Sequence, residues 1–123
     1  MIAKNISGRF GEKMAIEYLE KSGYRILFHS YKAGGAEIDI IATDDDVLCF
    51  VEVKTRKNKD FGYASQAVDN RKIRKMILGA RCFMKANPHY DTFRFDVVEV
   101  YGDMRTSGFS VSEINLIKNA FEA

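Results

Sequence analysis

Ala36–Lys54, AEIDIIATDDDVLCFVEVK, holds two apolar, β-branched runs on either side of an aspartate triplet. Ala36–Thr43 and Val47–Lys54 have the composition of strands and Asp44–Asp46 that of a tight turn, so the stretch predicts an antiparallel hairpin. Side chains alternate between the faces of a strand. Glu37, Asp39, Ile41 and Thr43 then share one face, and Leu48, Phe50, Glu52 and Lys54 share one on the partner. With a two-residue loop, Asp45–Asp46, Asp39 falls opposite Glu52 and Glu37 opposite Lys54, with opposed Cβ atoms about 4.5–5.5 Å apart. A three-residue loop would set Asp39 opposite Val51 and turn Glu52 to the other face. Asp-Asp is not a favoured hairpin pair, so the turn alone leaves both registers open.

The other face, with Ile38, Ile40, Ala42, Val47, Cys49, Val51 and Val53, is apolar throughout. The first face is also apolar near the turn, and a sheet apolar on both sides needs cover on both. Its charges gather at the far end, where the second strand starts and the third ends. A Glu37–Lys54 salt bridge on a wet surface would explain part of that cluster, at about 1 kcal/mol or less. It does not explain two opposed carboxylates in a covered sheet, which repel unless a cation lies between them. Two carboxylates and an ammonium at one sheet edge suit metal-dependent phosphodiester cleavage.

Working outward, Ser7 is placed to cap a helix over residues 8–22, and Gly23 to end it. Ala15, Ile16 and Leu19 form its apolar stripe, which Glu12 extends by one turn. Gly8 and Gly11 leave the backbone open to close approach by another segment or a phosphate. Tyr24–Tyr31 reads as a first strand and Lys32–Gly35 as the turn into the second. Residues 56–63 read as a loop, and residues 66–86 as a helix with Ile73, Met76, Ile77, Ala80, Phe83 and Met84 on one face. Asn87–Pro88 breaks that helix, Phe93–Tyr101 forms a fourth strand, and Asp96 within it calls for a structural hydrogen bond or ion pair. Residues 102–110 have loop composition. Residues 111–121 allow a short strand, a helix, or both. The order α-β-β-β-α-β predicts an α/β sandwich with a helix on each face of the sheet.

The 123 residues suffice for one domain, here 1–123, and are too few for two. A hydrophobic content of 46% with 29% charged residues excludes a disordered or membrane-spanning composition. The net charge of +2 does not by itself mark a nucleic-acid binder, but basic runs at residues 54–59 and 71–75 flank the carboxylate cluster. Cys49 and Cys82 stand in no ligand-like spacing and read as core residues of a reducing compartment. With no apolar leader in MIAKNISGRFGEK, a cytoplasmic location is the default expectation.

GRFGEKMAIEYLEKSGYRIL, EIDIIA, FVEVKTRK, FGYASQAV, Lys72, RFDVVEV and a terminal NAF occur in that order from Gly8 to Phe121. In this ordered set the chain resembles the YraN-like family of bacterial proteins. That family is similar in turn to the restriction-endonuclease-like superfamily, with its PD-(D/E)xK motif, and to archaeal Holliday-junction resolvases. The resemblance implies a restriction-endonuclease-like α/β/α sandwich with a central mixed sheet, and a Mg²⁺- or Mn²⁺-dependent DNA endonuclease. Branched or structured DNA is the implied substrate, and a homodimer the implied assembly. Position by position, Glu12 matches the helix Glu, Asp39 the motif Asp, Glu52 and Lys54 the ExK pair, and Glu37 the family's GEID. Metal ligands would be Asp39, Glu52, the carbonyl of Val53 and Glu12, the last directly or through water. Glu37 would position Lys54, and Arg9, Arg56, Lys57 and Lys72 would hold the nucleic-acid backbone. Ala64 and Gln66 depart from the family's usual Pro and Glu. A nucleic-acid-binding module without turnover, or an interaction protein with a salt-bridged surface, are the alternatives to be separated from the enzyme.

Overall fold

The computed structural model describes residues 2–58 and 70–123, with side chains from residue 8 onward. The elements run α1 (Ile2–Lys21), β1 (Arg25–Ala33), β2 (Ala36–Asp44), β3 (Val47–Arg56), α2 (Asn70–Ala86), β4 (Phe93–Arg105) and β5 (Gly108–Phe121). The five strands lie in sequence order in one sheet. Only β3 and β4 run parallel, so the sheet is mixed, and α2 is the connection that parallel neighbours require. The fold is α/β, with a helix on each face.

Gly34 and Gly35 sit at φ 61° and 79°, the left-handed pair that closes a two-residue hairpin between β1 and β2. The second hairpin closes on Asp45–Asp46, with Asp44 opposite Val47 and Ile40 opposite Val51. The two-residue register is therefore the one that forms. Asp45 itself takes φ 53°, which aspartate tolerates better than most side chains.

Each face carries its own core. Ala15, Leu19 and Tyr24 pack with Ile40, Ala42, Cys49, Val51, Val98 and Val100 on the α1 side. Met76, Ala80 and Phe83 of α2 pack with Ile38, Ile41, Leu48, Phe50 and Phe95 on the other. Full burial of each large side chain contributes roughly 1.5–3 kcal/mol. α1 crosses β3 at Gly11, where any Cβ would collide with the side chain of Thr55. The close backbone approach expected at Gly11 is thus made by a strand.

Three expectations need correction. α1 begins at Ile2, so Ser7 lies inside the helix rather than at its cap. Residues 102–110 are not a loop: β4 runs to Arg105 and pairs antiparallel with β5, Arg105 opposite Gly108, so the tail forms a fifth strand. Ile38 joins the α2 core instead of the α1 core, because strand alternation shifts by one place at Asp39. The expected loop at 56–63 and the start of the helix at 66 fall partly outside the described residues, as do Ala64 and Gln66; α2 is described from Asn70.

At the turn end of the sheet, Arg94 ties together three elements. Its guanidinium donates to Asp96 at 3.0 Å, to Asp44 at 2.7 Å and to the Tyr24 hydroxyl at 2.8 Å. Asp96 also accepts from the Tyr24 hydroxyl and the Asn119 amide, each at 2.9 Å, and Lys118 reaches Asp44 at 3.1 Å. Asp96 thus has the structural role its sequence position called for. Burial, then the charge of Asp96, pushes the Cys49 thiol up to about 12, which leaves it a core residue and no nucleophile. Among the described residues no helix is long and apolar enough to cross a membrane.

Candidate active site

At the opposite end of the same strands the ladder opens. The β2–β3 pairs stop at Ile40–Val51, and Ser30 of β1, between the pairs His29–Ile40 and Tyr31–Ile38, is held at φ 53°. Freed from regular pairing, Asp39 turns its carboxylate to accept the Val53 amide at 2.9 Å. That turn is the point at which alternation shifts. Glu52 follows the α2 face of β3 and is only 3% exposed. Lys54, two residues on, reaches its Oε2 at 3.2 Å, and Lys72, near the start of α2, stands 3.6 Å from its Oε1.

This cluster is electrostatically uneven. Burial first, and then the charge of Glu52, lifts the Asp39 carboxyl far above the usual carboxylate range, to about 7. Two acidic groups brought together out of water resist ionising together. Glu52 Oε1 is buried, and while Asp39 is ionised no group among the described residues hydrogen-bonds it, Lys72 being slightly too far. Such an oxygen costs about 1–3 kcal/mol where it is left unmet. A hard divalent cation takes oxygen ligands and would offset both the repulsion and the unmet oxygen, so the residues present fit one.

Glu12 approaches from α1. Its carboxylate accepts from Ser30 Oγ at 3.2 Å, lies 4.0 Å from His29 Nδ1, and is raised above its ordinary range by burial and then by the charge of Asp39. It lines a groove of about 540 Å³ with Arg9, Lys13, Ile16, Glu17, His29 and Ser30. Among the described residues no three His, Cys, Asp or Glu side chains gather tightly enough to hold a metal. Glu12 therefore stands beside the Asp39–Glu52 pair and not within one shell with it.

Glu37 is placed differently from the sequence reading. Ala36 and Ile38 both lie against Gly79 of α2, so Glu37 faces the α1 side, away from Lys54. It pairs with Lys32 of β1 at 4.0 Å, and the expected Glu37–Lys54 bridge does not form. The cause is the shift at Asp39, which reverses the faces of the residues preceding it. Arg56 and Lys57 continue β3 outward; Arg56 donates to the carbonyl of Thr55, and Lys57 pairs with Asp103 at 3.5 Å. Arg9 is exposed on the rim of the α1 groove. The structure thus gathers Asp39, Glu52, Lys54 and Lys72, sets Glu12 alongside, and leaves Glu37, Arg9, Arg56 and Lys57 around the margin.

One neighbour was not foreseen. Glu99 of β4 is 2% exposed and lies directly beside Lys54 in the parallel register. Tyr101 donates to its Oε2 at 3.1 Å and Asn115 to its Oε1 at 3.2 Å. The signal available was an acid in the alternating run FRFDVVEVY; its meaning depends on a non-local register that no local pattern contains.

A family model described as "Uncharacterised protein family UPF0102" matches residues 11–100, which span Glu12, Asp39, Glu52, Lys54, Lys72 and Glu99. The chain belongs to the UPF0102 family. A UPF0102 protein of Caldicellulosiruptor saccharolyticus is 43% identical over 93% of this chain and 95% of its own length. Another from Acetivibrio thermocellus is 40% identical over 96% and 92%, and one from Caldanaerobacter subterraneus 38% identical over 98% of each. The YraN-like resemblance read from the motifs names this same family. The family model thus covers the second half of α1, β1 to β3, α2 and β4 as far as Val100, and ends before β5.

Proposed function

We propose that this UPF0102 protein is a Mg²⁺- or Mn²⁺-dependent DNA endonuclease acting on branched or otherwise structured DNA. The observation that carries the reading is the desolvated Asp39–Glu52 pair, with Glu52 Oε1 unmet and an ammonium beside it. A surface that merely bound phosphates would gain nothing from a buried Glu52 with a half-buried Asp39 beside it, since both repel the polyanion. A salt-bridged interaction surface would not leave a buried carboxylate oxygen without a hydrogen bond.

Asp39 and Glu52 would hold the cation, with the Val53 carbonyl as the backbone ligand the resemblance implies. When bound, the metal makes an attacking water more acidic and offsets charge on the scissile phosphate. Lys54 has a different task. Its ammonium is already beside Glu52, where it can donate to a phosphate oxygen and stabilise the charge that grows there during attack. The Val53 amide keeps the Asp39 carboxylate turned to the site. Lys72, one-third exposed at the helix start, would hold an adjoining phosphate. Glu12 and the groove beside it lie on the α1 side of the same opening, with Arg9 and Lys13 as further cations for the strand backbone.

The test is cleavage of linear, flapped and four-way DNA with Mg²⁺ or Mn²⁺, comparing the natural protein with Asp39→Asn. Metal-dependent cleavage lost on that substitution is the expected result. Tight DNA binding without cleavage of any substrate would replace the enzyme with a binding module of the same fold.

A further inference from the structure

We infer that Glu99 is a positioning residue for Lys54, an anchored anion that keeps the ammonium in place once Glu52 is engaged elsewhere. The inference rests on the nuclease reading for its functional meaning, but its geometry stands apart from it. In the parallel β3–β4 register Glu52 neighbours Val97, and Lys54 neighbours Glu99. Phe50 and its β4 neighbour Phe95 both pack in the α2 core, so Glu52, Lys54, Val97 and Glu99 project from that same face. Strands lie about 4.8 Å apart, which sets the Glu99 carboxylate alongside the Lys54 stem. Lys54 therefore pairs with a carboxylate on its own strand and has a second at the neighbouring register position of the next.

The two carboxylates differ in how they are held. Glu52 has one oxygen unmet and is the group available to a cation. Glu99 has each oxygen held, by Tyr101 and by Asn115, and Asn115 is itself braced by a 2.6 Å bond to Glu113. A cation drawing on Glu52 weakens the 3.2 Å Lys54–Glu52 pair and repels the ammonium at the same time. Without another anion Lys54 would swing toward solvent, since its side chain is partly exposed. Glu99 is fixed, buried and adjacent, and supplies that anion. The β4–β5 hairpin thereby becomes part of the site, because Asn115 lies on β5.

The test reads Lys54 directly and needs no metal. In protein labelled with ¹³C at lysine Cε, Glu52→Gln imitates the loss of the Glu52 charge, and side-chain relaxation reports the order of Lys54. Lys54 should stay ordered in Glu52→Gln and become as mobile as exposed Lys32 in the Glu52→Gln/Glu99→Gln double variant. In the otherwise natural protein, Glu99→Gln should lower kcat for DNA cleavage by about 10- to 100-fold with KM unchanged, as expected when a catalytic group is misplaced. Tyr101→Phe, which removes one of the two anchoring bonds, gives a smaller loss of the same kind and serves if Glu99→Gln unfolds. Equal order of Lys54 in the single and double variants would overturn the inference. So would dependence of that order on Glu99 combined with unchanged kcat. If the natural protein cuts no DNA, the nuclease reading fails, and the relaxation comparison still decides whether Glu99 holds Lys54.

Discussion

The two ends of β2 and β3 hold nearly the same charges and treat them in opposite ways. At the turn end, Asp44 and Asp96 meet Arg94 and Lys118, and hydrogen bonds from Tyr24 and the Asn119 backbone complete the set. At the open end, Asp39 and Glu52 meet Lys54 and Lys72, but the carboxylates crowd each other and one oxygen is unmet. A network satisfied internally holds a fold together; one left unsatisfied in a buried place is waiting for something from outside. Composition alone would not separate the two. Geometry does, because regular pairing is kept at Asp44 and abandoned at Asp39.

The sharpest way to break the comparison is to remove one cation from each end. Lys54→Ala should cut kcat for DNA cleavage by about 10²–10³, the usual loss for a missing charge-stabilising donor, with metal affinity unchanged or slightly raised. Its thermal midpoint should fall less than that of Arg94→Ala, because Lys72 still faces the buried Glu52 carboxylate. Arg94→Ala should do the reverse: about 3 kcal/mol of stability lost, read by urea unfolding, because Asp96 is left buried without its cation. Metal binding in the surviving folded protein should be unaffected. Equal stability losses at both ends would erase the distinction.

A smaller effect probes what sets α1 over the site. Gly11→Ala should cost about 1–3 kcal/mol by overpacking against Thr55, and Thr55→Ala should recover most of it in the double variant. No recovery would place the strain elsewhere. The two ends also differ in pH dependence, where they carry opposite signs. Hydrogen bonds from Arg94 and then Lys118 hold the Asp44 carboxyl below its ordinary 3.8, so its contribution is present above that value and lost as pH falls below it. Asp39 is raised, so its contribution is full below its ordinary 3.8 and lost as pH rises through about 7. Metal-free Asp39→Asn should therefore unfold at a higher temperature than the natural protein at pH 8, with the difference vanishing near pH 4. A lower midpoint at pH 8 would mean that Asp39 is not repelled by Glu52.

Much of this architecture is legible in the sequence for physical reasons. The hairpin follows from period-two patterning around short turns, and α2 from its apolar stripe, since both patterns are local. The β5 strand was obscured because Ile114, Ile117 and Phe121 fall at helical spacing. Asn119 at φ 54° and the register break between Phe95 and Val97 let an irregular strand place Phe121 in stacking contact with Phe95. Asp39, Glu52 and Lys54 are visible as a motif, whereas the shift that turns Glu37 away coincides with the irregular backbone of Ser30 on a neighbouring strand, which no local pattern announces. Glu99 lay beyond reach for a similar reason, since a parallel register is fixed by packing across the whole sheet.

Calorimetric titration with Mn²⁺ decides whether the unsatisfied end of the sheet is a cation site. The natural protein and Lys54→Ala should each bind one ion with a saturable isotherm, while Asp39→Asn and Glu52→Gln show none. An unchanged isotherm in Asp39→Asn, or no saturable binding to the natural protein, would contradict a cation site there.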